Sequence, residues 1–308
     1  MDQILSLFPP NMANQMREKI QSEKIQLQEI RIRINRPIEL NDGRHAIWLY
    51  NQKVTKQDAL YLLNKISEFS LYRLEEELKQ GYITIAGGHR VGISGSVIVE
   101  EGMIKAIKHI SSFNIRLATE EVGFSKPYLP YLYQHYKYVN TLIIGPPQSG
   151  KTTFLRDLAK YISTGVKQYP AYKTAIVDER SEICAAVEGV PQLSFGLRVD
   201  VMDACPKSQG MMMLVRSMSP EVMIVDEIGS QKDVQALQEV IHTGVQVICT
   251  IHGESLDDIQ NKPALQPLLE SKAFERYVIL SMQNRTGEVK HILDQNGRVV
   301  SYQKVIHR

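Results

Sequence analysis

The sequence predicts an α/β protein in which a parallel sheet forms the C-terminal domain and a smaller α+β domain precedes it. Two observations predict this. From residue 139 onward, short apolar β-rich runs alternate with helical stretches, as parallel strands buried on both faces do. Upstream, a strand with one charged face and glycine-punctuated runs indicate an antiparallel sheet. We expect domains at residues 1–118 and 139–308, joined by a linker at 119–138.

The sheet of the first domain is expected to begin in residues 28–40, which read QEIRIRINRPIEL. Alternate positions put Ile30, Ile32 and Ile34 on one face of a strand and Arg31 and Arg33 on the other, which indicates a half-buried strand. Two arginines in a row on one face could also bind nucleic acid. Alternation by itself produces a solvated charged face, so we favour the structural interpretation.

The rest of the first domain and the linker are predicted from capping residues and composition. A helix begins after Thr55, whose hydroxyl can cap it together with Asp58, and a second helix covers residues 70–80. Antiparallel strands follow in residues 81–118. Residues 119–138 contain five tyrosines and two prolines, which indicate a hinge-like linker with a short helix. We expect its tyrosines to contact both domains rather than to stack on a base.

The second domain opens with a strand, a glycine-bounded loop and a helix, in the segment NTLIIGPPQSGKTTFLRDL. The loop fits the pattern G-x-x-x-x-G-K-[ST], whose glycines let backbone amides approach phosphate oxygens at a helix N-terminus. Lys151 is expected to reach the β- and γ-phosphates of ATP, and the Thr152 hydroxyl to bind Mg²⁺. The predicted nucleotide contacts are nine consecutive residues: Gly145, Pro146, Pro147, Gln148, Ser149, Gly150, Lys151, Thr152 and Thr153.

This loop and the strands after it predict a P-loop NTPase domain with a RecA-like parallel sheet. Polar residues at the carboxyl ends of such strands form the site. Asp226 and Glu227 end one apolar run; the aspartate would hold Mg²⁺ through water, and the glutamate would polarise the attacking water. Thr250 and His252 end another run, where a polar side chain can sense the γ-phosphate. The strands are expected at residues 141–144, 174–178, 222–226, 246–251 and 276–280.

A second acidic pair, Asp178 and Glu179, also follows an apolar run, beside Arg180. Because two such pairs are present, the sequence leaves open which carboxylate is the general base. We place the base at Glu227, with Glu179 as the alternative.

Composition narrows the class of protein. The net charge is +2 and charged residues make up 23% of the chain, so no basic excess points to a nucleic-acid-coating protein. The three cysteines form no C-x-x-C pair, which argues against a zinc site and fits a reducing cytosol. The start, MDQILSLFPP, lacks the basic region of a signal peptide, and no run is long enough for a membrane span. We therefore expect a cytoplasmic protein that reaches a membrane only through partners.

Six motifs together resemble the stage III sporulation AA family, which is similar to the ATPases of type II and type IV secretion and of pilus machines. They are EIRIRINRP, GGHRVGISG, GPPQSGKTT, IVDERSEI, CPKSQGMMMLVRSMSPEVMIVDEIG and TIHG, in the order that the family has them. The resemblance implies a homo-hexameric ring ATPase in the mother-cell cytoplasm. It also implies docking on integral membrane proteins of a channel between mother cell and forespore.

The resemblance also assigns roles to residues. Asp178 and Glu179 match the acidic "Asp box" of the secretion ATPases, and Thr250 and His252 match their "His box". Many secretion ATPases have Gly-Glu at the Walker B position, whereas this chain has Asp226-Glu227 there, which leaves the Mg²⁺ and base roles less sharply assigned. The four-cysteine zinc module of some secretion ATPases is absent from the sequence.

An arginine that completes the nucleotide site is expected as well. The N-terminal domain of the secretion ATPases supplies it, and Arg90 or Arg116 matches that role here. Arg198 is the candidate inside the ATPase domain. For any of them, a surface arginine in a solvated ion pair is the competing interpretation.

Three functions compete at this stage. The leading one is an ATP-hydrolysing motor that rocks one domain against the other. The second is a nucleic-acid translocase, which shares the core but is disfavoured by the near-neutral charge, so no nucleic-acid partner is expected. The third is a scaffold that binds ATP only to assemble, and the presence of Glu227 argues against it.

Overall fold

The structure is a computed structural model, and it divides the chain into two compact units, Met1–Thr119 and Glu120–Arg308. The helix predicted at residues 70–80 lies outside the described residues. The structure describes residues 1–67, 82–100, 102–118, 123–281 and 288–300.

The first unit packs helices on an antiparallel sheet. Its helices are α1 (Asp2–Leu5), α2 (Pro10–Ser22) and α3 (Lys56–Ser67). Its strands are β1 (Glu29–Arg33), β2 (Pro37–Asn41), β3 (Ala46–Lys53), β4 (Tyr82–Ile85), β5 (His89–Glu100) and β6 (Met103–Arg116). They form one sheet in the order β3-β2-β1-β6-β5-β4, and the neighbouring strands described in it pair antiparallel.

The alternating segment at residues 28–40 forms two strands rather than one. Ile30 and Ile32 are buried in the core of this unit, as the alternation predicts. After β1 the chain turns through Asn35, whose φ of +65° suits a short polar residue, and β2 returns antiparallel to β1. The helix predicted after Thr55 is confirmed, since the Thr55 hydroxyl accepts from the Asp58 amide at 3.1 Å.

Residues 123–138, which the sequence analysis assigned to a linker between domains, pack within the second unit. They contain a 3₁₀ turn, a short helix and two short strands. Asp157, which is buried, accepts hydrogen bonds from the amides of Gly123 (3.0 Å) and Ser125 (2.6 Å). The tyrosine rings here contact rings of the same unit: Tyr133 lies 5.0 Å from Tyr169. These elements are the turn Lys126–Tyr128, α4 (Leu129–Leu132), β7 (Tyr133–Gln134) and β8 (Lys137–Tyr138).

The second unit is a mostly parallel sheet flanked by helices. Its remaining strands are β9 (Thr141–Gly145), β10 (Thr174–Asp178), β11 (Val199–Asp203), β12 (Val222–Val225), β13 (Gln246–His252), β14 (Arg276–Ser281) and β15 (Glu288–Asp294). Its remaining helices are α5 (Lys151–Thr164), α6 (Lys207–Met218), α7 (Gln231–His242), α8 (Leu256–Gln260), the turn Pro263–Leu265 and α9 (Gln266–Glu270). The strand order is β11-β10-β12-β13-β9-β14-β15. Only the β14–β15 pair is antiparallel among the pairs described in this sheet.

Both faces of this sheet are covered, which explains why its central strands are apolar throughout. On β9, Ile143 faces one core with Phe154 and Leu158 of α5. Its neighbour Leu142 faces a second core with Leu214 of α6 and Leu237 of α7. The predicted class, a parallel-sheet α/β domain behind an antiparallel α+β domain, is confirmed. No helix in the described ranges combines the length and apolar character needed to cross a bilayer.

Candidate nucleotide site

The sheet order brings the predicted site residues to one edge. Strands β10, β12, β13 and β9 are consecutive neighbours and all parallel, so their carboxyl ends lie side by side. The loop after β9 is the predicted P-loop, and the acidic pairs follow β10 and β12. Such a row of loops at the carboxyl ends of parallel strands is where ligands bind in open α/β sheets.

The P-loop has a backbone conformation that its sequence predicts only in part. Gly150 has φ +86° and Gln148 has φ +60°, so the backbone turns through the left-handed region twice before α5 begins. A Cβ on Gly145 would lie 2.4 Å from the Ser149 hydroxyl oxygen, so any larger residue at this position would displace the Ser149 side chain. The Ser149 hydroxyl itself is buried and has no partner among the described residues. The loop therefore closes tightly around its own serine.

The first turn of α5 presents its backbone amides at the end of this loop. Among the hydrogen bonds of the described residues, none uses the amides of Lys151, Thr152 or Thr153 as donors. The first amides of a helix have no partner inside it, and the helix dipole adds partial positive charge there. With α5 running for 14 residues, this end of the helix suits a phosphate group.

Lys151 lies across the loop and is half-buried. Its Nζ donates to the carbonyl oxygens of Gly145 and Pro146, each at 2.8 Å. Burial lowers the pKa of Lys151, while the nearby carboxylates of Asp226 and Glu227 oppose that shift. The ammonium group thus stands next to the acidic end of β12, on the loop that would hold phosphates.

Asp226 is held by two hydroxyl groups. Thr152 of α5 donates to one carboxylate oxygen at 2.7 Å, and Thr250 of β13 donates to the other. A hydroxyl and a carboxylate in contact at the start of this helix are oxygen ligands of the kind that Mg²⁺ takes. The residues present therefore fit a Mg²⁺ ion bound with a nucleotide.

Thr250 is fully buried, and its hydroxyl also accepts the Glu227 amide at 2.7 Å. The sequence analysis expected Thr250 to sense the γ-phosphate. Its hydroxyl is instead committed to Asp226 and Glu227, so it positions these two residues. Any response of Thr250 to a nucleotide would pass through them.

Glu227 is the exposed member of its pair. Its φ of +52° is uncommon for glutamate, and its side chain is 50% exposed. The carboxylate forms an ion pair with Arg180 of the loop after β10, with 3.0 Å between Nη1 and Oε2. Arg180 thus links the two acidic strand ends.

Asp178 occupies a different environment although it begins the same dipeptide. It is 2% exposed, and its carboxylate accepts the amides of Glu182, Ile183 and Cys184 at 2.8–2.9 Å. Burial raises the pKa of Asp178, and these backbone donors offset part of that effect. Both oxygens are used to fold the loop, which gives Asp178 a positioning role. Its neighbour Glu179 is partly exposed and pairs with Lys207 of α6.

The remaining predicted residues lie at the end of β13, before β11 and in the first unit. The His252 side chain is exposed at the end of β13. Arg198 precedes β11, at the amino edge of the sheet, where it lies 3.6 Å from Glu221. Arg90 and Arg116 are register partners on β5 and β6, and the Arg90 guanidinium lies 4.9 Å from the Tyr82 ring centre. Their role at a nucleotide stays a prediction.

Several residues at the site were not predicted. Arg156 of α5 donates to the carbonyls of Glu182 (2.6 Å) and Ile183 (2.7 Å), so it holds the Asp178 loop from the other side. Arg156 lies one helical turn after Thr152, and that spacing was the available signal. Lys207 gave no sequence signal, because it reaches Glu179 only through the packing of α6.

The comparisons with known proteins agree with this geometry. The sequence matches the family described as "Sporulation stage III, protein AA" over residues 1–300. The chain belongs to this family. Within the sporulation stage III protein AA family, it is 51% identical over 301 residues to stage III sporulation protein AA of Bacillus subtilis (strain 168), which covers 98% of this chain and 97% of that protein. The predicted resemblance is confirmed.

Solved structures resemble the chain in fold. The ATPase DotB of Legionella pneumophila matches with a TM-score of 0.60 at 15% identity, over 94% of this chain and 82% of that one. The pilus retraction motor PilT, solved with bound ADP, matches with a TM-score of 0.58 at 14% identity, over 84% of this chain and 75% of that one. The chain thus shares the fold of secretion and pilus ATPases.

Proposed function

We propose that this protein binds ATP with Mg²⁺ and hydrolyses it to drive movement of one unit against the other. The observation that carries the proposal is the 2.7 Å contact between the Thr152 hydroxyl and the Asp226 carboxylate. It joins the start of the P-loop helix to an acidic strand end two strands away, with Lys151 beside both. An ordinary glycine turn before a helix has no need for this arrangement.

Each residue of the candidate site has a separate role in the proposed hydrolysis. The amides of the first turn of α5 and the Lys151 ammonium hold the β- and γ-phosphates. Thr152 and Asp226 hold Mg²⁺, which neutralises charge that develops on the phosphate oxygens. Glu227 is exposed beside Asp226 and orients and deprotonates the attacking water. Thr250 keeps Asp226 and Glu227 in place, and Asp178 keeps the neighbouring loop folded.

The likeness to DotB and to the pilus motor PilT supports a mechanical use of the hydrolysis, and membership of a sporulation family supports a place in spore formation. We propose a homo-hexameric ring in the mother-cell cytoplasm, peripheral to the membrane and docked on integral membrane proteins of a channel to the forespore. In this ring, Arg90 or Arg116 supplies positive charge to a nucleotide site, because loose phosphoryl transition states require it.

The first experiment is a phosphate-release assay on purified protein. Wild type should release phosphate from ATP only when Mg²⁺ is present. Lys151→Ala should abolish release and weaken nucleotide binding, because it removes the charge that faces the phosphates. Lys167→Ala, which changes an exposed lysine of the same unit, is the matched control and should behave as wild type. Normal turnover by Lys151→Ala would refute the site assignment.

The same assay separates the competing functions. Tight ATP binding without turnover would identify an assembly scaffold. Hydrolysis that rises on adding DNA, with an effect that falls as salt increases, would identify a nucleic-acid translocase. Hydrolysis indifferent to DNA supports the motor.

The ring is tested by dilution and mixing. If an arginine acts across subunits, specific activity should fall as the protein is diluted to monomer. Mixing inactive Lys151→Ala with inactive Arg116→Ala, and in parallel with Arg90→Ala, should restore part of the activity, because some interfaces then combine an intact P-loop with an intact arginine. Constant specific activity on dilution, with no recovery in either mixture, would show that each chain completes its own site.

A further inference from the structure

Lys262 lies outside every motif considered so far, yet it reaches the edge of the sheet where the candidate site lies. It sits between α8 and the turn Pro263–Leu265 and is half-buried. Its ammonium group donates to the main-chain carbonyl of His252, the last residue of β13. The lysine side chain thus folds back from the following loop onto the end of this strand.

The end of β13 is adjacent to the P-loop. His252 is the register partner of Gly145, and the next amide, that of Gly253, donates to the Gly145 carbonyl at 3.2 Å. The same carbonyl accepts Lys151 Nζ. Lys262 is also close enough to Lys151 to lower its pKa through charge repulsion. Two lysine ammonium groups therefore lie near one another at this point.

Among the described residues, no carboxylate lies in direct contact with either ammonium group. Within the described ranges, Lys151 and Lys262 form no ion pair, and both bond to main-chain carbonyls instead. A carbonyl is a weaker partner for an ammonium group than an anionic oxygen. Two converging cations on carbonyl oxygens form a place where an anion with several charged oxygens gains strong contacts.

The sheet order indicates which part of a nucleotide that anion would be. β13 lies between β9, which leads into the P-loop, and β12, which leads into Asp226 and Glu227. A triphosphate that is bound at the P-loop and extends towards Glu227 therefore places its last phosphate group at the end of β13. The Lys262 ammonium lies at that end, so it is a further cation that the terminal phosphate would meet in addition to Lys151.

We propose that Lys262 is a phosphate-binding residue that contacts the terminal phosphate of a nucleoside triphosphate and makes the site prefer ATP over ADP. This rests on the proposed nucleotide site and adds to it a residue from the α8 loop. When the triphosphate binds, the ammonium exchanges the His252 carbonyl for a phosphate oxygen. Loss of that phosphate returns the ammonium to the carbonyl, so the α8 loop follows the state of the nucleotide.

The test compares Lys262→Met with Lys272→Met. Methionine keeps most of the apolar stem of lysine, and Lys272 is an exposed lysine that bonds to Asn296 at 3.1 Å. The dissociation constants of a slowly hydrolysed ATP analogue and of ADP are measured by calorimetry with Mg²⁺. Lys262→Met should weaken binding of the ATP analogue about tenfold and of ADP less than about twofold, since one charge-assisted hydrogen bond is lost. Lys272→Met should change neither.

Two further readouts keep the result decisive. Lys262→Arg keeps the charge and should recover most of the preference for the ATP analogue, and thermal unfolding midpoints confirm that the variants are folded. Equal losses for both nucleotides, or no loss for either, would overturn the role of Lys262 while wild type still binds. If wild type binds neither nucleotide, the proposed function itself fails, and the two failures are distinguished.

Discussion

The dipeptide Asp-Glu occurs twice at the carboxyl edge of the same sheet, after the adjacent strands β10 and β12, and the two copies do opposite things. Asp178 is 2% exposed, and its carboxylate accepts hydrogen bonds from three backbone amides of its own loop. Asp226 is partly exposed, and its carboxylate contacts hydroxyl groups of two other elements, Thr152 and Thr250. One pair shapes a loop and the other shapes a site.

The difference shows that the role of an aspartate at a strand end depends on which groups donate hydrogen bonds to its carboxylate. Backbone amides satisfy a carboxylate permanently, because they belong to the fold. Hydroxyl groups can rotate and act as ligands together with the carboxylate, so the Asp226 pair is able to accept a metal ion. Both glutamates form an ion pair, Glu179 with Lys207 and Glu227 with Arg180, but the Glu227 side chain is the more exposed, at 50% against 38%.

The largest expected effect comes from the glutamates. Glu227→Gln should lower kcat about 100-fold or more with Mg·ATP binding retained, because an amide keeps the shape but is a very poor base. Glu179→Gln is the matched change at the other copy and should cost less than about tenfold in kcat. Single-turnover phosphate release and nucleotide binding are measured on both. The reverse ranking would place the base after β10.

The second-largest effect is on the Mg²⁺ requirement, which should differ between variants of the two aspartates. Asp226→Asn should raise the Mg²⁺ concentration that gives half-maximal activity about tenfold or more, as loss of an outer-shell metal partner does. Asp178→Asn should leave that concentration unchanged in the folded protein. The measurement is a Mg²⁺ titration of phosphate release at saturating ATP. A shift of the same size in both variants would contradict the different roles of Asp226 and Asp178 at the metal.

Stability should rank the aspartates the other way. Asp178→Asn places an amide NH₂ against backbone N–H groups that the carboxylate now accepts, which should cost about 1–3 kcal/mol of unfolding free energy. Asp226→Asn replaces a partly exposed group and should cost less than about 1 kcal/mol. Urea unfolding followed by circular dichroism measures both. An Asp178→Asn variant as stable as wild type would contradict the loop-positioning role.

The smallest expected effect is on kcat, when the ion pair between Arg180 and Glu227 is removed. Arg180→Gln removes the ion pair to Glu227, whose partners are 63% and 50% exposed, so kcat should fall by less than about fivefold. Because exposed pairs are screened by salt, the difference from wild type should vanish at about 1 M salt. Rates of phosphate release are compared across a salt series. A deficit that persists at high salt would show that Arg180 contacts the reacting groups directly.

Much of the second unit could be predicted because its central strands are apolar at every position. The exceptions are at the edges of the sheet. β11 was missed since Asp200 and Asp203 interrupt its apolar pattern, and an edge strand with intermediate burial carries a weak signal. β15 was missed because it pairs antiparallel with β14 at the opposite edge and buries mainly Val289 and Ile292.

The site could be predicted only as far as residues next to strand ends. The P-loop and both acidic pairs are local patterns, and their positions follow from chain order. Their partners depend on packing: Arg180 lies 47 residues from Glu227 in sequence, and Lys207 lies 28 residues from Glu179. Nothing local distinguishes these cations from other surface charges. The carboxylate that folds its own loop, Asp178, was therefore indistinguishable from the one that faces Thr152.

The hydrogen bonds from Gly123 and Ser125 to Asp157 determine where the protein can be divided. A polypeptide that starts at Val139 would leave the Asp157 carboxylate without these donors and would remove the Phe124 ring, which lies 5.6 Å from that of Phe154. Both residues belong to the helix that carries the P-loop lysine. The tyrosine-rich segment is therefore part of the smallest fragment that keeps the P-loop helix fully packed, and an excised second unit should include it.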